Sequence, residues 1–338
     1  MDYYPKFYYT SSCLAGDCPD TCCAGWEIPL TKKDEEILQR CSSDGQIPDD
    51  ITATDEDGDA CMRLDNGKCP LLNAEGLCSL RLKYSQSETP EVCRQHPLFI
   101  EEYDGFTEKC PSLSCSAVCR EVFASDLKDK IYPTPKYRGD DSFLALLIKT
   151  RKMVLKKVNT ERIGLLEAIN GTINLALCVD QLICFDEDFC YADFDCSECF
   201  STRSDLSDDV SEHVDGYISM LKDRCEILGE KWERMLEKAS ETHFDFSKIQ
   251  AVNRNKEYLL FFMYLVYRYW LKGINTDSAL EYAMFIVFGT MACAHISLVA
   301  DVPFGETARM YSKEIEHDTD NIEEALEFID EILADCNF

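Results

Sequence analysis

Four cysteines fall within eleven residues near the start of the chain, in the run Cys13-Leu-Ala-Gly-Asp-Cys18-Pro-Asp-Thr-Cys22-Cys23-Ala-Gly-Trp26. Adjacent cysteines rarely pair with each other, because a disulfide demands a particular Cα separation and dihedral. Thiols packed this densely point to ligands converging on a soft metal ion or an iron–sulfur cluster. Ala15, Gly16, Asp17, Pro19 and Asp20 are small or turn-forming, as suits a loop that wraps an ion. Trp26 is expected to pack over the loop and exclude water. Disulfides in an oxidising compartment are the competing reading.

Further thiols recur in turn-rich surroundings. Cys69 and Cys78 flank a turn at Asn73–Gly76, Cys93 is followed by Arg94-Gln95-His96-Pro97, and Cys115 ends Ser112-Leu-Ser-Cys. Separate loops that each bring a thiol are what a cluster needs to complete its coordination. His96 reads as a turn residue before it reads as a ligand. A second patch holds Cys184, Cys190, Cys196 and Cys199, the last two as CxxC. A lone CxxC is only moderately specific for zinc, so a further metal there is the lesser expectation.

The chain carries twenty cysteines, twelve of them in the first 119 residues. Met1-Asp2-Tyr3-Tyr4-Pro5-Lys6 lacks the basic start and apolar run of a secretory signal. The expectation is a cytoplasmic protein whose thiols are reduced or bound to metal. Net charge is −29, with 10 Lys/Arg against 22 Asp/Glu in residues 1–119 and 24 against 41 in the rest. Such a polyanion repels nucleic acid. It suits a basic partner, such as a lysine-bearing protein surface, although solubility accounts for the charge equally well. Tyr282 to Ala300 has nineteen residues without formal charge. That length reaches the membrane-span threshold. Internal Gly289, Thr290, Cys293, His295 and Ser297, with Glu281 and Asp301 at the flanks, make it a buried helix and not a span.

The elements that position these residues follow from pattern. Thr31 with Asp34 marks a helix start, running to about Arg40, and 42–60 reads as a polar loop. From about residue 120 helical patterns take over. Leu144 to Asn159 is expected to be helical, with Lys149, Arg151, Lys152, Lys156 and Lys157 on a solvated face. A second helix spans Arg162 to Cys178, interrupted at Asn170-Gly171. A linker at 201–212 precedes helices at 213–242, 256–272, 277–299 and 306–335. Tyr258 to Leu271 is aromatic-rich and reads as core, with Arg268 inside it. The expected fold is mainly α: a loop-rich cysteine-cluster region over 1–122, then an α-helical domain over 123–338.

Pro5-Lys6-Phe7-Tyr8, Cys13 and Cys18-Pro-Asp-Thr-Cys22-Cys23-Ala-Gly-Trp26 resemble the start of the flagellin lysine-N-methylase family. Its cysteine-cluster region is shared with a wider group of zinc- or iron-chelating domains. The likeness continues through Cys69-Pro-Leu-Leu with Gly76-Leu77-Cys78, Cys93-Arg94 with Pro97, and Glu108 with Ser112-Leu-Ser-Cys115. Near the other end, Tyr311-Ser-Lys-Glu-Ile-Glu-His317 with Asn321 is similar to the family's Tyr-Ser-Arg-Glu-Ile-Glu-His. The resemblance covers nearly the whole chain. His96-Pro97-Leu98 stands where the family has Tyr-Pro-Arg, Ser116 where it has Pro, and Lys313 where it has Arg. Cys41, Cys61, Cys110, Cys119 and the 184–199 thiols lie outside its pattern.

The resemblance implies methyl transfer from S-adenosylmethionine to flagellin lysines, or those of another lysine-bearing protein, by a chain carrying an iron–sulfur cluster. It implies eight thiol ligands: Cys13, Cys18, Cys22, Cys23, Cys69, Cys78, Cys93 and Cys115. One 4Fe-4S cluster takes four thiolates. Eight allow one or two clusters, or a cluster and a tetrahedral zinc, with zinc alone the alternative metal. No Gly-rich strand-to-helix turn and no CxxxCxxC triplet marks where the donor binds. Direct displacement needs a neutral amine, and lysine titrates near about 10.4, so a proton acceptor or burial is required. Glu314, Glu316 and His317 lie along one expected helix, Glu314 and His317 on one face. They are the candidate proton acceptors, with ordinary surface pairing to Lys313 as the competing role. A non-catalytic iron–sulfur or zinc protein, such as a redox sensor or a metal-stabilised interaction module, is the alternative for the whole chain.

Overall fold

The computed structural model describes residues 1–335 except 46, 56–57, 85, 125, 128–131, 162, 186–195, 202–206 and 252–254. The fold is mainly α. Two compact units divide the chain: Ser11–Phe99 with Pro111–Val118, and Met1–Thr10 with Ile100–Cys110 and Cys119–Phe338. The boundary therefore differs from the single cut expected at residue 122. The reason is ionic. Glu101 pairs with Arg268 at 2.5 Å and Lys272 at 2.8 Å, and Glu108 pairs with Arg151. These contacts tie 100–110 to the helices.

Five short strands occur among the described residues: β1 (Asp2–Tyr3), β2 (Thr52–Thr54), β3 (Ala60–Met62), β4 (Leu98–Tyr103) and β5 (Phe106–Pro111). β2 and β3 form an antiparallel ribbon with Ala53 opposite Cys61. The other sheet has the order β1-β5-β4, with β1 parallel to β5. Gly105, at φ +76°, allows the tight turn between β4 and β5.

The cysteine-rich unit contains α1 (Lys32–Ser43), α2 (Ser79–Lys83) and α3 (Glu91–Gln95). Thr31 and Asp34 cap α1 reciprocally, as their spacing predicts. Asp34 is nearly buried because its other oxygen accepts the Glu91 N–H at 3.0 Å, joining the starts of α1 and α3. Ten buried residues make the core: Ile28, Leu30, Ile37, Leu38, Cys41, Ile47, Ile51, Met62, Leu71 and Leu80. Ile47, Ile51 and β2 lie within 42–60, so that stretch is no mere polar loop. Its apolar residues are spaced too widely to signal an element, yet they fill this core.

In the helical unit, α4 (Ser116–Ala124) is followed by α5 (Ser142–Lys156), α6 (Leu165–Phe185), α7 (Cys196–Ser201), α8 (Ser207–Asp223) and α9 (Glu230–Ser240). Then come α10 (Phe246–Ala251), α11 (Asn255–Tyr269), α12 (Ala279–Ala300), α13 (Phe304–Glu314) and α14 (Thr319–Asp335). α12, whose one formal charge is Glu281 in its first turn, is the centre, packed by α6, α8, α9, α11, α13 and α14. It is long and apolar enough to cross a membrane, but 83% of its most apolar window is buried inside the protein. Asp180 on α6 accepts the Ser278 hydroxyl at 2.8 Å and the N–H groups of Ala279 and Leu280 at 2.7 and 3.0 Å. It thereby satisfies the orphan donors at the start of α12.

Two expectations change here. Arg151 is not on a solvated face but 2% exposed and ion-paired. Asn170-Gly171 does not interrupt α6, because the Phe200 ring occupies the space where a side chain at Gly171 would stand. The glycine is a packing site, not a breaker.

Candidate metal centre and a buried carboxylate

All eight thiols of the resemblance lie in the cysteine-rich unit, and backbone pairing brings their loops together. The Cys69 N–H donates to the Cys23 carbonyl at 2.8 Å, the Gly25 N–H donates to the Gly67 carbonyl at 2.9 Å, and Ala24 bridges Lys68. The Cys69–Cys78 turn closes through Asn73, whose side-chain oxygen accepts the N–H groups of Glu75 and Leu77 at 3.1 and 2.8 Å. Gly16, between Cys13 and Cys18, sits directly against the Glu75 carbonyl, where a Cβ would not fit. Gly76 (φ +72°) faces Gly16 from that turn. On α3, Cys93 is held through its carbonyl, which accepts from Arg81 at 3.0 Å. The Trp26 indole donates to the Cys22 carbonyl at 2.9 Å, which fixes the ring at the end of the first loop.

Exposure sorts the thiols. Cys13 and Cys22 are exposed, and Cys18, Cys23, Cys69, Cys78, Cys93 and Cys115 are half-buried. The additional Cys41, Cys61, Cys110 and Cys119 are all buried, as apolar core fillers are. Mutual electrostatic influence divides the eight further. Cys69 is influenced by Cys23 and Cys78, and Cys93 by Cys23, Cys69 and Cys78. Cys115 is influenced by Cys13 and Cys18, whereas Cys22 is influenced first by Cys23 and then by Cys13 and Cys93. Cys23, Cys69, Cys78 and Cys93 therefore form one set, Cys13, Cys18 and Cys115 a looser second, and Cys22 touches both.

The hydrogen bond between the Cys22 and Cys23 thiols leaves the proton on Cys22 and lowers Cys23 to about 6. Cys23 is thus a ready thiolate. Burial pushes Cys69 up to about 11 and Cys93 up to about 12. A bound cation reverses that preference, since a coordinating thiol is deprotonated outright. Burial, aided by the Arg81 charge, lowers His96 to about 4, so its imidazole is neutral. Backbone N–H groups reach the sulfurs, from Ala15 to Cys13 at 3.4 Å, from Leu71 to Cys69, and from Ala117 and Val118 to Cys115. Among the described residues no three His, Cys, Asp or Glu side chains converge tightly enough to hold an ion as they stand. The donors are thiols, the type a soft metal prefers.

The C-terminal candidates separate. α13 ends at Glu314, so the three do not share a helix as expected. Asn321 caps that end, its amide donating to the Glu314 carbonyl at 2.8 Å. The Glu314 carboxylate is buried and accepts the Leu228 N–H at 2.8 Å. His317 is exposed. Glu316 is also buried, 3% exposed, and accepts from the Tyr264 hydroxyl at 3.2 Å. Burial raises its pKa, against the opposing pull of Arg268, Ser312, Tyr269 and Tyr264. Arg268, Lys272 and Glu101 extend this cluster, and sequence reading missed their role. The signal was an arginine inside an aromatic helix, which demands a buried carboxylate partner.

Cys190 of the second thiol patch lies outside the described residues. Cys196 is buried and Cys199 half-buried on α7. Comparison with protein-family models, curated proteins and solved structures gave no match.

Proposed function

We propose that the chain is a protein-lysine N-methyltransferase for flagellin, with S-adenosylmethionine as donor and a cysteine-ligated 4Fe-4S cluster in its cysteine-rich unit. One observation supports the metal half above others: the eight thiols of the resemblance are accessible in converging loops, while the additional thiols Cys41, Cys61, Cys110 and Cys119 are buried. Cys23, Cys69, Cys78 and Cys93 are the first choice for one cluster. Cys13, Cys18 and Cys115, with Cys22 between the two sets, would serve a second cluster or a zinc ion. When bound, a cluster supplies a rigid thiolate-anchored centre and an electron store.

The methyl-transfer half rests on the sequence resemblance and on Glu316. A carboxylate whose pKa burial raises, in a buried setting lined by tyrosines with Arg268 nearby, suits the proton of a lysine amine. The amine attacks the donor methyl, the sulfonium sulfur leaves with its bonding electrons, and the amine proton passes to Glu316. Glu314 and His317 are the lesser candidates. The second reading, a non-catalytic metal protein, is favoured by one feature: among the described residues the sheets have two and three strands, and none is a doubly wound sheet for a nucleotide-like donor.

Incubating metal-replete protein with flagellin and S-adenosylmethionine, then weighing the flagellin, is expected to show methyl-sized mass gains. Their absence under both reducing and oxidising conditions would overturn the enzyme reading. Iron, sulfide and zinc measured per chain after anaerobic purification test the metal half separately.

A further inference from the structure

Three thiols outside the set of eight come together on α6 and α7. The Cys199 thiol is hydrogen-bonded with the Cys178 sulfur, and Cys196 is near enough to influence Cys199 electrostatically. The packing of α7 on α6 explains the meeting. Phe200 lies against Gly171, and the Lys157 ammonium caps its ring at 5.1 Å from the centroid. Gly171 and Cys178 are seven residues apart, about two helical turns, so they share a face of α6. Seating Phe200 on Gly171 brings its neighbour Cys199 toward Cys178. Both of these thiols are half-buried, unlike Cys225 and Cys293, which are core fillers.

We propose that Cys178 and Cys199 are a reversible dithiol–disulfide site that ties α7 to α6. The oxidant is a low-molecular-weight disulfide of the glutathione type. The Cys178 thiolate attacks one of its sulfurs, forming a mixed disulfide and releasing the first thiolate. Cys199 then attacks the Cys178 sulfur, the intrachain S–S bond forms, and the second thiolate leaves. The two protons lost by the cysteines go to the two released thiolates. Two protein thiols are oxidised and one small disulfide is reduced to two thiols. Burial and the bond to Cys178 push Cys199 up to about 12, and deprotonation of either thiol is what starts the exchange. In a reducing compartment the pair rests as dithiol and responds only to oxidation. The site is independent of the eight-thiol metal reading.

The test uses full-length protein, prepared reduced and exposed to graded mixtures of oxidised and reduced glutathione. Acid quenching, alkylation and peptide mapping follow. The Cys178–Cys199 peptide is expected as the main linkage of either thiol, reversed by dithiothreitol. Iron and zinc content in the same samples separates any attack on the eight thiols. Stable glutathione adducts on both cysteines without a link would overturn the proposal. So would Cys199 linked mainly to Cys184, Cys190 or Cys196. Cys178→Ser, nearly isosteric, should leave Cys199 unlinked. Gly171→Ala, which must displace Phe200, should slow linkage by roughly tenfold through lost positioning. An unchanged rate in a variant with native helical circular dichroism would count against the geometry.

Discussion

Arg151 and Glu108 meet at two points, the two terminal guanidinium nitrogens lying 2.7 and 2.5 Å from the two carboxylate oxygens, with neither side chain more than 5% exposed. The same guanidinium donates to the Tyr267 carbonyl at 2.9 Å and lies 4.8 Å from that residue's ring centroid. The pair joins β5 to α5. Removing one partner strands a charge in the interior. Glu108→Ala should therefore destabilise the helical unit by about 3–5 kcal/mol, measured by urea unfolding. The double change Glu108→Leu with Arg151→Met should recover most of the loss, because it removes both charges.

Metal content should follow the division among the thiols. Cys23→Ser, Cys69→Ser and Cys93→Ser should each lower iron or zinc per chain, whereas Cys41→Ser should leave it unchanged and cost stability alone. Gly16→Ala touches no ligand, yet its new methyl group meets the Glu75 carbonyl. It should lower metal content as well. Native metal content in that variant would show that the contact between the two loops does not shape the site.

Acid stability should report on Glu306. Burial opposes its ionisation, but hydrogen bonds from Arg309 and Lys231 outweigh burial and hold it at about 2, below its usual 4.5. A depressed carboxylate stabilises the fold fully above the unfolded value, and the contribution fades as pH falls through the folded one. Wild type should thus lose stability between about pH 4.5 and 2 from this group. Glu306→Gln should flatten that limb of a pH–stability curve and be less stable than wild type near neutrality.

Methylation should separate the C-terminal candidates. Glu316→Gln keeps the side-chain shape and an acceptor for Tyr264 but cannot take a proton. It should slow turnover by roughly 10²–10⁴-fold and abolish the acidic limb of the pH–rate profile. His317→Ala, at an exposed position, should stay close to wild type. Equal effects from the two would remove Glu316 from the proton-accepting role.

Local features were legible in the sequence and distant partnerships were not. The Thr31–Asp34 cap spans three residues, and most of the buried α12, Tyr282 to Ala300, is one uncharged run, so both could be read directly. Arg151 looked like part of a basic face because its partner lies 43 positions away on a strand. The end of α13 was hidden for the same reason, since Asn321 caps it from beyond the helix. Gly171 looked like a breaker until Phe200, from another helix, explained it. The eight thiols came as a set from the resemblance, and only the pairing of 23–25 with 67–69 shows which of their loops lie side by side.

Asp180 bears on how the chain folds. The first N–H groups of α12 are satisfied by a carboxylate that belongs to α6. An apolar helix with an uncompleted end gains little by forming alone. Ser278 caps the next N–H of α12 locally, so Asp180 adds to that cap and couples the start of α12 to α6. Native-state hydrogen exchange should find the opening turn of α12 and the Asp180 turn of α6 exchanging together, and Asp180→Ala should release the former first.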